Sequence, residues 1–332
     1  MSIWRGRSKQ ASRGESVYEP RPSKIHININ PLFIDRRRGG VNFHGSITAL
    51  VTPFKKGKID EKALQRIVRY QIEQGTDGLV PTGTTGESPT LSHEEHHRVI
   101  EIVVDAAAKK VPVIAGTGSN STEEAVSLTA FAKKAGADGA LLASPYYNKP
   151  TQEGLYRHYE KVAKSVDIPI ILYNIPGRSV VNIAPETVAR LAKIPNIVGI
   201  KEASGSMDQT SHILSLCDIT VLSGDDSLTL PLLSLGGKGV ISVLSNILPG
   251  AVSEMVDSYF AGNHEKALEL HYKLFALCRV MFIETNPIPI KRSMKLLGFC
   301  EDELRLPLCP MSEHNEKLLV KALRDYGLKV KE

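Results

Sequence analysis

Cysteine is scarce in this sequence, and long apolar runs are missing. Its four cysteines, Cys217, Cys278, Cys300 and Cys309, lie far apart and form no CxxC pair. That spacing argues against a zinc site and a disulfide scaffold, and fits reduced thiols in a cytoplasmic protein. With no stretch of about 18 uncharged apolar residues, nothing is expected to cross a membrane. No Gly-Lys-Ser/Thr ending completes a P-loop, which sets nucleoside triphosphates aside. The first strand candidate ends in Thr52-Pro53-Phe54, without the glycine-rich turn of a doubly wound nucleotide-binding sheet.

An excess of positive charge is also missing from most of the chain. The net charge is +5, yet residues 1–40 hold nine Lys/Arg against three Asp/Glu. The remaining residues are close to neutral, so no nucleic-acid surface is inferred. Residues 1–40 read as a leader outside the folded body, either a disordered tail or a start-site artefact with Val41 as the true start. The Arg-rich, acid-poor composition leaves a targeting presequence as the alternative.

From Gly45 onward, short β-branched runs alternate with capped helices. The strand candidates are 46–54, 77–83, 111–118, 139–147, 168–176, 196–204, 219–226 and 238–246, each nearly continuously apolar, as in parallel strands covered on both faces. Helix starts are legible at Asp60, at Ser92 with Glu95 as a capping box, and at Pro185. Eight such units predict a (β/α)₈ barrel over residues 41–262. Residues 263–332, beginning with the amphipathic stretch 264–282, predict a C-terminal helical region.

Active sites of such barrels lie at the C-terminal strand ends. Those ends supply Thr84, Thr85 and Glu87, Tyr146 and Tyr147, Tyr173, Asn174 and Arg178, Lys201 and Glu202, Asp225 and Asp226, and Ser242 and Asn246. A lysine leaving the core at Lys201 loses water, which lowers its pKa and leaves some neutral amine to attack carbonyls. The competing reading is a structural lysine paired with Glu202. Tyr173, one strand away, is placed to move protons, with Thr84 and Tyr147 as links; its other reading is a ring packed in the barrel. The Gly83–Glu87 turn offers a carboxylate cradle, and Arg178 after Pro176-Gly177 suits a carboxylate. His93-Glu94-Glu95-His96-His97 formally matches HExxH. It sits in the first turn of a capped helix without an evident third ligand, so no metal is expected. Asp225 and Asp226 suit either a cation or a cap for the next helix.

The motifs GTTGES (83–88), SPYYNKPTQEGLYRHY (144–159), LYNIPGR (172–178), GIKEASG (199–205) and SGDDS (223–227), with NPIPIK (286–291) and LRLPL (304–308), closely resemble the dihydrodipicolinate synthase family. That family belongs to the pyruvate-dependent class I aldolases, with N-acetylneuraminate lyase. The likeness runs from about Phe43 to Gly327, and residues 1–40 have no counterpart. The resemblance implies condensation of pyruvate with L-aspartate-4-semialdehyde in lysine biosynthesis, through a covalent imine and without a cofactor. It implies Lys201 as the imine lysine, and Tyr173, Thr84 and a neighbouring subunit's Tyr147 as a proton relay. Thr85 would hold the pyruvate carboxylate, Arg178 the carboxylate of the semialdehyde, and Gly224 and the Ile241 carbonyl would line the pyruvate pocket. The lyases usually have Ser-Thr in place of Thr84-Thr85 and lack the arginine, which favours the synthase. Val180 departs from the family, where many members have glycine.

The resemblance also implies inhibition by L-lysine at Ser88, the Pro89 backbone, His93, His96, Asn120, Glu124 and Tyr146, and a homotetramer built as a dimer of dimers. Another pyruvate aldolase, or a barrel that has lost catalysis and only binds metabolites, are the alternatives.

Overall fold

The structure, a computed structural model, describes residues 43–331; the expectations for residues 1–40 lie outside them. Eight strands are present: β1 (Gly45–Ala49), β2 (Gly78–Val80), β3 (Ile114–Gly116), β4 (Gly139–Ala143), β5 (Ile170–Asn174), β6 (Ile197–Glu202), β7 (Thr220–Ser223) and β8 (Gly239–Ser242). They pair in parallel in the order β2-β1-β8-β7-β6-β5-β4-β3. A bridge between Leu79 and Val113 joins β2 to the approach to β3, and Leu79 N to Pro112 O (3.0 Å) with Gly116 N to Pro81 O (2.9 Å) completes the ring. The expected barrel is the observed one.

All eight strands end before their predicted limits. The predicted 46–54 stops at Ala49, and the predicted 139–147 at Ala143. The surplus residues are the loops that carry the site. Phe54–Lys55 and Lys58–Ile59 instead form a small antiparallel hairpin, turning at Lys56 and Gly57, both with positive φ.

Helices cover the barrel: α1 (Glu61–Glu73), α2 (His93–Ala107), α3 (Thr122–Ala135), α4 (Gln152–Ser165), the single turn α5 (Pro176–Ser179), α6 (Pro185–Leu191), α7 (Met207–Leu216), α8 (Thr229–Ser234) and α9 (Pro249–Phe260). Asp60 caps α1, and Ser92 with Glu95 forms the expected capping box on α2. The tail follows as α10 (His264–Val280), α11 (Ile288–Leu296) and α12 (Glu313–Tyr326). Leu270, Leu274 and Leu277 of α10 pack with Val252 and Met255 of α9.

The barrel interior is filled by Ile47, Val80, Ile114, Leu141, Ile171, Tyr173, Leu222 and Ile241, with Phe43 buried among them. A polar tie secures the closure beside β1. Asn246 donates to Ala49 O (2.7 Å) and accepts from Val51 N (3.2 Å), while Gln71 accepts from Thr48 and donates to Ser245 O. These buried groups are hydrogen-bonded, as low-dielectric surroundings require.

Candidate active site

Tyr173 and Lys201 are register partners at the ends of β5 and β6. Side chains alternate across a strand, so Lys201 and its neighbour Glu202 turn opposite ways. Lys201 Nζ lies 4.3 Å from the Tyr173 ring centroid. Glu202 accepts instead from Asn174 Nδ2, Ser204 N and Gln209 Nε2. The reading of Lys201 as Glu202's partner is therefore corrected.

Lys201 is 5% exposed. Burial pulls its pKa down to about 8, opposed by the negative charges of Asp226 and Asp225. Burial pushes the Tyr173 phenol up to about 12, with the Arg178 charge and a hydrogen bond to Thr84 opposing it. The site thus holds a tyrosine that keeps its proton near neutrality beside a lysine that loses its own far more readily than usual.

Gly224 has a steric reason to be glycine: a Cβ there would come within 2.5 Å of the Ala203 Cβ and 3.1 Å of Lys201 Cε. Ile241 lies in the interior layer. No side-chain cap is made on the turn that begins at Asp226 or on α8 after it. The Asp226 carboxylate accepts from Ser242 Oγ, Val243 N and Leu244 N, capping the turn after β8, and burial raises its pKa.

The Gly83–Glu87 turn leads into a single 3₁₀ turn (Ser88–Thr90) before α2. Gly86 N and Glu87 N both donate within the loop, to Gly83 O and Thr84 O, so the expected cradle has fewer open N–H groups than its sequence suggests. Thr52 Oγ1 donates to Gly86 O (2.7 Å). Glu87 is buried in the left-handed region, at φ 54°. Its Oε1 lies 2.5 Å from Lys291 Nζ, whose side chain is wholly buried, and its Oε2 accepts from Arg305 N (3.1 Å). Lys291 aims its well-aligned hydrogen bond at Glu303 O (2.8 Å).

Thr84, Tyr173 and Arg178 line a cavity of about 330 Å³ together with Ser88, Pro89, His93, His96, Glu124 and Tyr146. Arg178 belongs to α5, not to a rigid turn; its Nη2 donates to Asn286 O (2.9 Å). Thr85 is buried below, its hydroxyl accepting from Asn286 Nδ2 (3.0 Å). Tyr147 is 88% exposed at φ 71° and does not line this chain's own cavity. The sequence reading missed Asn286 and Lys291, although the NPIPIK stretch places a lysine in an apolar setting.

At the inhibitor positions, His96 is buried and lowered by that burial to about 4. Its Nε2 donates to Gly116 O (2.9 Å), which leaves Nδ1 as a buried acceptor with no protein partner among the described residues. His96 is thus withdrawn from solvent. His93 pairs with Glu124 (2.9 Å), which also accepts from Ser119 Oγ. Glu124 forms only half of a capping box: it gives its N–H to Ser121 Oγ, while its carboxylate turns to Ser119 and His93. Asn120 donates to Tyr146 O (3.2 Å) at the margin of the cavity. His97 stacks on Phe131 at 3.6 Å and does not converge with His93. No group of three or more metal-ligating side chains is clustered among the described residues.

A family model described as the dihydrodipicolinate synthetase family matches residues 42–326. A 4-hydroxy-tetrahydrodipicolinate synthase from Syntrophus aciditrophicus is 60% identical over 288 residues, covering 86% of this chain and 99% of that protein. The dihydrodipicolinate synthase of Acinetobacter baumannii, solved with pyruvate, is 47% identical with a TM-score of 0.85, covering 86% of this chain and 100% of that one. The enzyme of Cyanidioschyzon merolae, solved with lysine bound, is 42% identical with a TM-score of 0.84, covering 86% and 99%.

Proposed function

The chain belongs to the dihydrodipicolinate synthetase family, and from that premise we propose that it condenses pyruvate with L-aspartate-4-semialdehyde, the 4-hydroxy-tetrahydrodipicolinate synthase reaction, with Lys201 as the covalent anchor. The observation that carries the mechanism is a buried lysine of lowered pKa facing a protonated tyrosine across adjacent strands. The neutral amine adds to the pyruvate ketone and expels water, giving an imine. Tyr173 supplies and takes up the protons of these steps, passing them to Thr84, with which it is hydrogen-bonded. The imine nitrogen itself draws electrons from the pyruvyl carbon, so a resident cofactor has no step to perform.

Thr85 receives the pyruvate carboxylate, in a pocket bounded by Gly224 and the Ile241 carbonyl. Arg178, whose main-chain contact at Asn286 orients it at the cavity, receives the carboxylate of the semialdehyde. Tyr147, exposed on its own chain, completes the relay of a neighbouring subunit. Leu235, Leu268, Tyr272 and Phe275, all exposed around the end of α8 and along α10, favour a second self-contact and hence a homotetramer. L-Lysine is the inhibitor proposed for the part of the cavity lined by Ser88, His93, His96, Glu124 and Tyr146, its amino groups facing Glu124 and the His96 Nδ1 lone pair. Among the described residues no helix is long and apolar enough to cross a membrane, and the cytoplasm is the proposed compartment.

Incubation with pyruvate and borohydride tests the reading. One reduced pyruvyl group should appear on the intact mass, on the peptide containing Lys201, and Lys201→Ala should abolish it. Trapping that persists in Lys201→Ala would reassign the lysine, and absence of trapping in the wild type would turn the reading toward a barrel that only binds metabolites.

A further inference from the structure

At the centre of this machinery sits a buried polar residue from the tail to which no role has been given. Asn286 is 5% exposed. Its amide nitrogen donates to Thr85 Oγ1 at 3.0 Å, and its main-chain oxygen accepts from Arg178 Nη2 at 2.9 Å. One residue therefore touches the two side chains proposed for the two substrate carboxylates. Its side-chain oxygen is buried with no hydrogen-bond partner among the described residues, so the amide is in place for what its nitrogen does.

We infer that Asn286 is a positioning residue that aims the Thr85 hydroxyl at the pyruvate carboxylate. An amide NH₂ carries protons and accepts none, so in this contact Thr85 Oγ1 must be the acceptor. The single hydroxyl proton is then left to point away from Asn286, and a carboxylate is an acceptor for it. Without the amide, the hydroxyl is able to turn and donate to a backbone carbonyl instead, as Thr82 does to Gly116 O. The loop does not need Asn286 for its own shape, because Glu87–Lys291 and Thr52–Gly86 hold it from other sides. Arg178 is held by the main-chain oxygen, which a side-chain substitution leaves in place.

This inference rests on the assignment of Thr85 to the pyruvate carboxylate, and its test separates the two. Steady-state kinetics are measured on the full chain for wild type, Asn286→Ala, Asn286→Asp, Thr85→Val and the double variant Asn286→Ala/Thr85→Val. Asn286→Ala should raise KM for pyruvate roughly tenfold, the equivalent of about 1.4 kcal/mol and one neutral hydrogen bond. KM for the semialdehyde should stay within about twofold, a split that a general loss of structure does not give. Asn286→Asp, with the same shape but only acceptors facing Thr85, should be worse than Asn286→Ala. In the Thr85→Val background, loss of the amide should add nothing. An unchanged pyruvate KM, equal rises for both substrates, additivity with Thr85→Val, or Asn286→Asp behaving better than Asn286→Ala would each overturn the inference. Should Asn286→Ala not fold, the isosteric Asn286→Asp carries the same comparison. Wild type that fails to trap pyruvate overturns the imine reading itself; trapping with indifferent Asn286 variants overturns this inference alone.

Discussion

At Lys201 the ammonium has lost most of its water and kept the carboxylates of Asp226 and Asp225 as partial compensation. Burial wins, and the pKa settles at about 8. Roughly a tenth of the amine is then neutral at pH 7, against about one part in 2,500 for an ordinary lysine. The initial rate of borohydride-trappable adduct should therefore rise about tenfold per pH unit below 8 and level off above it. A plateau displaced to pH 10 would mean that the amine remains well hydrated. Two positions from Arg178, Val180 sits at φ 60° and is 66% exposed. A β-branched residue in that region is strained, by about 1–2 kcal/mol, and glycine is not. Part of that gain is lost to the greater freedom of glycine in the unfolded chain. Val180→Gly should thus stabilise the fold by up to about 1 kcal/mol, seen as a rise of about 2 °C in the thermal midpoint. A fall would show that Val180 packs against something in the assembled protein.

At the scale of elements, strand cores were legible because eight apolar runs recur at regular intervals, and their C-terminal ends were not. Thr52-Pro53-Phe54 and Tyr146-Tyr147 follow the apolar runs without a break but have left the barrel's ladder, and composition alone does not distinguish the two. Lys201 and Tyr173 were legible as residues at the barrel mouth, and Thr84 as a residue of the loop after β2. Their surroundings depend on contacts spanning up to about two hundred residues: Asn286 with Thr85, and Lys291 with Glu87. Nothing local in NPIPIK announces such partners. The Glu87–Lys291 pair is wholly buried, with Lys291 Nζ also 4.1 Å from the Phe54 ring centroid. Removing one partner strands the other's charge, whereas removing both does not. Lys291→Met should cost about 3–5 kcal/mol in urea unfolding, and Glu87→Gln added to it should restore part of the loss. Equal stability of single and double variants would mean that water reaches the carboxylate.

For the whole molecule, the proposed sharing of the exposed Tyr147 between chains has a direct test. A mixed dimer of Tyr147→Phe and Lys201→Ala chains contains one site with both native residues: the lysine of the first chain and the tyrosine of the second. Co-refolding equal amounts should recover up to about a quarter of wild-type activity, since half of the randomly paired dimers are mixed and half of their sites are complete. Activity no greater than the sum of the separate variants would place Tyr147 outside the relay.

The barrel's joints are unequal. β5 and β6 share five paired positions, whereas β2 meets the approach to β3 through the single Leu79–Val113 bridge and two loop hydrogen bonds. That short joint ends at Pro81, three residues before Thr84. In deuterated water, the amides of Leu79 and Gly116 should lose their protons sooner than those along β5 and β6, because a seam with few ladder bonds opens without unfolding the rest. The threonine loop then leaves the ring at its most sparsely bonded joint, and the ties from Thr52 to Gly86 and from Lys291 to Glu87 hold it where the strand ladder does not.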